Sequence, residues 1–156
     1  MNANEWKVEL ALEPHPEGGH FHRFFASPVT VRTARGERPT MTAIHYLLEA
    51  GEYSAWHRLK SHELWHWHDG GPLLIHCLDD AGLTTHRLGP GGRMTLPIAP
   101  GIWFASEPAV GTDFALVSCT VSPGFDFADF EWGDAGELAR TYPDNAQLIE
   151  HLRRGQ

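Results

Sequence analysis

The sequence predicts a mainly β fold, a sandwich or closed barrel with a short helix at each end, on three observations. Short segments rich in β-branched and aromatic residues follow one another closely through most of the 156 residues. Turn-forming clusters such as Arg35-Gly36, Asp69-Gly70-Gly71, Asp79-Asp80-Ala81-Gly82 and Gly89-Pro90-Gly91-Gly92 separate them. Helical patterning is confined to the two termini. Seven or more short strands at such spacing are the signature of sandwiches and barrels.

In chain order, Asn4 is a candidate cap for a first short helix whose partial apolar face is Trp6, Val8 and Leu10, stopped by Pro14. His15-Pro16-Glu17-Gly18-Gly19 then reads as a turn, because two adjacent glycines allow backbone angles that other residues resist. Strands are expected near His20–Ala26, Thr40–Leu48, His62–His68, Leu73–Leu78, Leu83–Leu88, Met94–Ile98 and Phe114–Val121. Gly136–Tyr142 reads as a short helix ended by Pro143, and Asn145 as the cap of a last helix carrying Leu148, Ile149 and Leu152. Residues 1–156 read as one domain, with no internal repeat or low-complexity segment.

Composition narrows the partners. Hydrophobic residues make up 42% and charged residues 21%, as in globular proteins that bury a core. Twelve basic against twenty acidic residues give a net charge of −8, which argues against nucleic acid or an anionic membrane as partner. The opening residues lack a basic segment followed by an apolar run, and no apolar segment approaches the roughly 20 residues that span a bilayer. A cytoplasmic location is therefore expected. Cys77 and Cys119 stand alone in apolar alternating runs and read as buried, reduced thiols.

His62-Glu63-Leu64-Trp65-His66 is a literal H-E-x-x-H, the helical signature of zinc proteases. On a helix the two histidines converge on one ion; on a strand, four residues separate them by roughly 13 Å, too far for a shared metal. The short segment, its tryptophans and the following Asp69-Gly70-Gly71 turn favour the strand. The glycine and histidine that extend the protease pattern are replaced by Asp69 and Pro72. On a strand, Glu63, Trp65 and Trp67 share one face and His62, Leu64, His66 and His68 the other. A carboxylate among inward tryptophans is costly unless paired or used, so Glu63 is a candidate acid or base. The outward histidine face is a candidate surface for a second subunit.

Several motifs resemble a known superfamily. Gly51, His57, Glu63 and Gly70 fall on positions of the first cupin motif, and Gly92 to Phe104 is similar to the second. His15 to Phe21, Thr42 to Leu48, Gly51 to Ser61 and Ser118 to Phe127 resemble a small single-domain cupin branch of undefined function. The resemblance implies a double-stranded β-helix, a jelly-roll barrel, and a homodimer. Two departures stand out: Leu59 and Phe104 occupy positions where the motifs carry metal-binding histidines. His57 and Glu63 alone remain of four ligands, fewer than the three protein donors a stable transition-metal site needs.

Metal-independent cupins include sugar-nucleotide epimerases, which this branch resembles in overall pattern. That resemblance implies an isomerase or epimerase acting on a carbohydrate-like, nucleotide-like or carbonyl ligand. His57 would be the base and Glu63 its orienting partner or second proton-transfer group, with Tyr46 or Tyr53 as acid. Trp65, Trp67, Trp103 and Phe104 would wall the pocket, and Arg23 or Arg58 would clamp an anionic group. Two alternatives are a non-catalytic ligand-binding cupin and a divalent-metal enzyme that holds its ion through His57, Glu63 and donors from other strands.

Overall fold

The computed structural model describes residues 1–155. After helix α1 (Ala3–Glu9) come β1 (Glu13–Pro14), β2 (His20–Ala26), β3 (Thr30–Thr33), β4 (Gly36–Pro39), β5 (Thr42–Glu49) and β6 (Ser54–Leu59). The chain continues through β7 (His62–Gly70), β8 (Leu73–Asp79), β9 (Gly82–Leu88), β10 (Thr95–Ile98), β11 (Trp103–Pro108) and β12 (Phe114–Ser122). It ends with β13 (Phe130–Trp132), α2 (Ala135–Thr141) and α3 (Ala146–His151). The strands form a six-stranded sheet, β1-β2-β5-β12-β7-β10, facing a five-stranded sheet, β13-β6-β11-β8-β9, with β3-β4 as a separate hairpin. This is the mainly β jelly roll with short terminal helices that the sequence predicts.

The inner faces of the two sheets meet in a core that includes Tyr46, Trp65, Ile75, Leu88, Leu96 and Phe104. A second cluster lies where Leu138, Ile149 and Leu152 of the C-terminal region cover Trp56, Leu78 and Ala105 on the outer face of the five-stranded sheet. The Trp56 indole donates to the Ile149 carbonyl at 3.1 Å, which fixes α3 on that face.

β7 is a strand through His62–Gly70, so His62 and His66 lie along an extended backbone and the H-E-x-x-H carries no zincin geometry. Glu63 and Trp65 are buried inward while His62 and Leu64 are exposed, as the period of two requires. A bulge opposite Leu116 and Val117 of β12 interrupts the ladder near His68.

Three local readings change. Asn2, not Asn4, caps α1: its side chain accepts from the Glu5 amide at 3.0 Å, and the Glu5 carboxylate accepts from the Asn2 amide at 2.7 Å. That reciprocal box outcompetes a lone Asn4 cap. Asn145 stands at the start of α3 but makes no side-chain cap bond, whereas Asp134 caps α2 by accepting from Glu137. β6 and β11 escape a search for alternation because adjacent residues on both faces are buried, along most of β6 and through the middle of β11.

Candidate functional site

The site is built on the His15–Gly19 loop. His15 and Gly19 close it with an amide-to-carbonyl bond of 2.9 Å, and the Gly18 amide donates to the His15 carbonyl at 3.1 Å. Gly18 and Gly19 have φ of +106° and +75°, and a Cβ on Gly18 would sit 2.0 Å from the Tyr53 carbonyl oxygen. The two glycines thus let the loop press against the barrel where no side chain fits. The Tyr46 hydroxyl donates to the Gly18 carbonyl, and the Ala55 amide donates to the Glu17 carbonyl at 3.2 Å. Anchored in this way, the loop delivers His15 and Glu17 to the barrel mouth.

There they meet His57 of β6. Its Nδ1 lies 2.7 Å from the Ala55 carbonyl and 3.2 Å from Glu17 Oε2. A carbonyl can only accept, so Nδ1 carries the proton and Nε2 is the basic nitrogen. The ring stacks on Phe130 at 5.1 Å and packs against Phe104 at 4.2 Å. His15 Nδ1 accepts from the Glu17 amide at 3.0 Å, and its ring stacks on Tyr46 at 5.4 Å.

Below this pair a cavity of about 410 Å³ runs between the sheets. Its polar lining is His15, Glu17, Arg23, His57, Glu63 and Cys119. Its apolar wall includes Phe21, Ile44, Leu59, Phe125, Phe127 and Phe130. Glu63 is 7% exposed, and its Oε2 has no hydrogen-bond partner; the same is true of Glu17 Oε2 and the Trp65 indole nitrogen. Arg23 is exposed at the rim and makes no ion pair among the described residues.

Burial dominates the electrostatics. Desolvation pushes the Glu63 pKa up to about 8, against smaller opposing effects of the neighbouring Cys119 thiol and Trp65 indole. Glu17 is raised well above the carboxylate range by desolvation and then by Glu63. Desolvation lowers His15 and His57 to about 4. At neutral pH the cavity therefore holds neutral imidazoles beside protonated carboxyls, donors and acceptors that carry no charge until a ligand or proton transfer supplies one.

The structure gathers some of the sequence-predicted residues here and places others elsewhere. His57, Glu63 and Arg23 line the cavity. Tyr46 is buried behind it, with its hydroxyl engaged by Gly18, and serves to position the loop. The Tyr53 hydroxyl bonds to the Arg153 carbonyl. Trp65 and Phe104 lie in the packed core beneath, and Trp67 sits at the Gly71 end of β7, donating to that carbonyl at 3.3 Å. Trp103 is outside the barrel core, covered by the Arg58 guanidinium at 4.2 Å. Arg58 is also held by Glu131 at 2.7 Å. The ring wall belongs to Phe21, Phe125, Phe127 and Phe130 instead, because inward orientation on a strand does not say how far along the barrel a residue stands.

The sequence does not single out His15 and Glu17, because their motif reads as a turn. A histidine and a glutamate inside a double-glycine loop just before a strand were the available signal. The divalent metal common in cupins does not fit these residues. Leu59 lines the cavity where one ligand histidine would stand, and Phe104 packs on His57 at the other. Among the described residues the one convergent donor group is His20, Glu49 and Glu52, none of which lines this cavity, and Lys7 already pairs with Glu49. Cys77 and Cys119 are free thiols, half-buried and buried. No helix among the described residues is long and apolar enough to cross a membrane.

Comparison with known proteins agrees with this architecture. A hypothetical protein from Leishmania major is 31% identical over 99% of this chain and 100% of its own, with a TM-score of 0.90. A protein from Shewanella oneidensis is 34% identical over 100% of this chain and 99% of its own, also with a TM-score of 0.90. A cupin 2 domain-containing protein from Halorhodospira halophila shares the fold at 17% identity, over 92% of this chain and 88% of its own, with a TM-score of 0.62. No curated protein matches the sequence. The family model described as Cupin superfamily (DUF985) matches residues 4–133, and the chain belongs to that family.

Proposed function

We propose that the cavity is the site of a metal-independent isomerase that moves a proton next to the carbonyl of a small ligand. The observation that carries this reading is the buried Glu63 carboxyl, whose Oε2 has no hydrogen-bond partner, lining from one sheet the same cavity that the His57 imidazole lines from the other. His57 Nε2 takes the proton from carbon, the C–H electron pair becomes a C=C bond, and the Glu63 carboxyl hands its proton to the carbonyl oxygen. The ligand becomes its enol with no net gain or loss of atoms. The protein is left with imidazolium and carboxylate, and return of the proton to either face of the carbon completes an isomerisation.

Glu17 makes this affordable. An imidazole lowered to about 4 is a weak base by itself, because one charge in an apolar cavity is expensive. With Glu17 Oε2 3.2 Å from Nδ1, a protonated His57 faces a carboxyl oxygen whose partial negative charge offsets part of that cost, with no further proton transfer.

Deuterium incorporation at the α-carbon of aldoses, ketoses and 2-oxo acids, followed by NMR in heavy water, tests the reading. The parent should exchange one class of these. His57→Ala and Glu63→Gln should each slow exchange by about 10²-fold or more. Equal exchange by variant and parent would remove that residue from the mechanism. The low basicity of His57 favours a second reading, a cupin that binds its ligand without turnover; binding with no exchange by the parent would establish it.

A second copy of the chain is the proposed partner. Phe24 and Leu64 are 48% and 41% exposed on the outer face of the six-stranded sheet, and Phe24 stacks on His45 at 4.2 Å. Sedimentation of the parent and of Leu64→Asp would show whether that face joins two copies. A cytoplasmic location remains our proposal from the sequence.

A further inference from the structure

The geometry points to the class of ligand: a small monoanion with an apolar single-ring or branched body and an enolisable carbonyl, an aromatic or branched-chain 2-oxo acid. The inference rests on the cavity being the acid–base site just described, and its polarity follows from where the groups stand.

Size comes first. About 410 Å³ is near the lower end of the roughly 300–1,000 Å³ typical of small-molecule sites, room for one ring and a short chain. The wall chemistry then excludes most polar ligands. Four phenylalanines, Ile44 and Leu59 offer no hydrogen bonds, so each sugar hydroxyl facing them would lose its water unreplaced, at about 1–3 kcal/mol by general experience. A flat or branched hydrocarbon body loses nothing there and gains ring contacts.

Charge fixes the orientation. Arg23, Ile44, Cys119 and Trp65 are cross-strand neighbours on β2, β5, β12 and β7, so Arg23 and Trp65 stand about 14 Å apart across the sheet. Glu63 is two residues along β7 from Trp65 and shares its face. One end of the cavity therefore has a cation with no carboxylate partner, and the other has two buried carboxyls and no cation to hold an anion. A ligand carboxylate belongs at Arg23, at the wet rim where a guanidinium can hold it by two hydrogen bonds. Those roughly 14 Å separate backbones, and the Arg23 side chain spans part of them; the carbonyl bonded to the carboxylate and the carbon beyond it then face His57 and Glu63, and the body lies among the phenylalanines.

Calorimetry with 3-phenylpropionate, its neutral amide and UDP-glucose tests the ligand class without asking for chemistry. The acid should bind at least about tenfold tighter than the amide, and tighter than UDP-glucose. Arg23 is exposed, so Arg23→Gln should fold normally, erase the preference for acid over amide and leave the amide's affinity within about twofold. Failure of the acid to bind at millimolar concentration, equal binding of acid and amide, tighter binding of UDP-glucose, or a preference surviving in Arg23→Gln would each overturn the assignment. Phenylpyruvate in heavy water separates the two claims. Selective acid binding with no deuterium exchange would remove the isomerase and keep the ligand class; exchange into an aldose with no binding of 3-phenylpropionate would do the reverse.

Discussion

Two buried carboxyl groups, one beside the ring that stacks on His57 and one lining the same cavity as His57, meet opposite fates. Asp129, with a side chain 3% exposed, precedes Phe130, the ring that stacks on His57. Arg38 clamps it through Nε and Nη2, at 2.9 and 3.1 Å, and Arg35 adds a third bond at 2.8 Å. Those charge-assisted bonds, chiefly from Arg38, hold its pKa below the usual carboxylate value despite burial. Glu63 is equally hidden but faces no cation, and burial raises it to about 8. Depth alone therefore does not decide what a carboxyl does. A buried acid with a full set of partners ties elements together, here the β3–β4 hairpin to the segment before β13. One with an oxygen left unpartnered and no cation beside it stores a cost that a ligand or a proton offsets.

The largest expected effect breaks the unpaired side of this contrast. Glu63 binds its proton more tightly in the folded protein than in the unfolded chain, where its pKa is 4.5. Between those two values the folded state holds the extra proton, so stability falls as pH rises from about 4.5 to 8 and then levels off. Glu63→Gln removes that slope. The variant should be more stable than the parent at pH 9 by on the order of 4 kcal/mol and nearly equal to it at pH 4. Glu17 contributes a residual slope of the same sign to both proteins. Thermal unfolding across the pH range reads the difference directly, and parallel curves for parent and variant would show that Glu63 is not desolvated.

Breaking the paired side should have the opposite signature. The Asp129 pKa is depressed in the fold, so its contribution is present above the unfolded value of 3.8 and is lost as pH falls through the folded one. His15 and His57, lowered to about 4, also lose stability in the acid direction, between 6.5 and about 4. Asp129→Asn leaves Arg38 buried without its counter-charge and should lower Tm by roughly 6–10 °C at pH 7. Because Phe130 follows directly, the same variant should also loosen the wall behind His57 and weaken ligand binding. A Tm unchanged at pH 7 would mean that the clamp contributes nothing to holding the hairpin.

The sequence made one of these sites half-legible and left the other unseen. Period-two alternation turns Glu63 inward, and flanking tryptophans predict the desolvation that shifts it. His57 becomes legible only through the motif that resembles the cupins. Glu17 was hidden because glycines announce that a backbone can bend, not what the bent loop will touch; Tyr46 and the Ala55 amide decide that from far along the chain. Trp65, Trp67, Trp103 and Phe104 are aromatic and near the motifs, yet the cavity wall is drawn largely from Phe125, Phe127 and Phe130, in a segment with no periodicity to read. Asp129 gave no signal because its partners are Arg35 and Arg38, some ninety residues earlier.

The smallest expected effect sharpens the contrast for cations. Arg23 and Arg58 are equivalent candidates in sequence, and their neighbours alone separate them. Arg58 is stacked on Trp103 and bonded to Glu131, both at the surface. An exposed pair and an exposed stacking contact are each weak, so Arg58→Ala should cost at most about 1 kcal/mol of stability. Its donors are already engaged away from the cavity, so the affinity for 3-phenylpropionate should not change. Arg23→Gln should show the reverse, an unaltered Tm and a lost preference for the acid. Loss of acid affinity in Arg58→Ala would move the anion site to the other side of β6 and take the proposed ligand orientation with it.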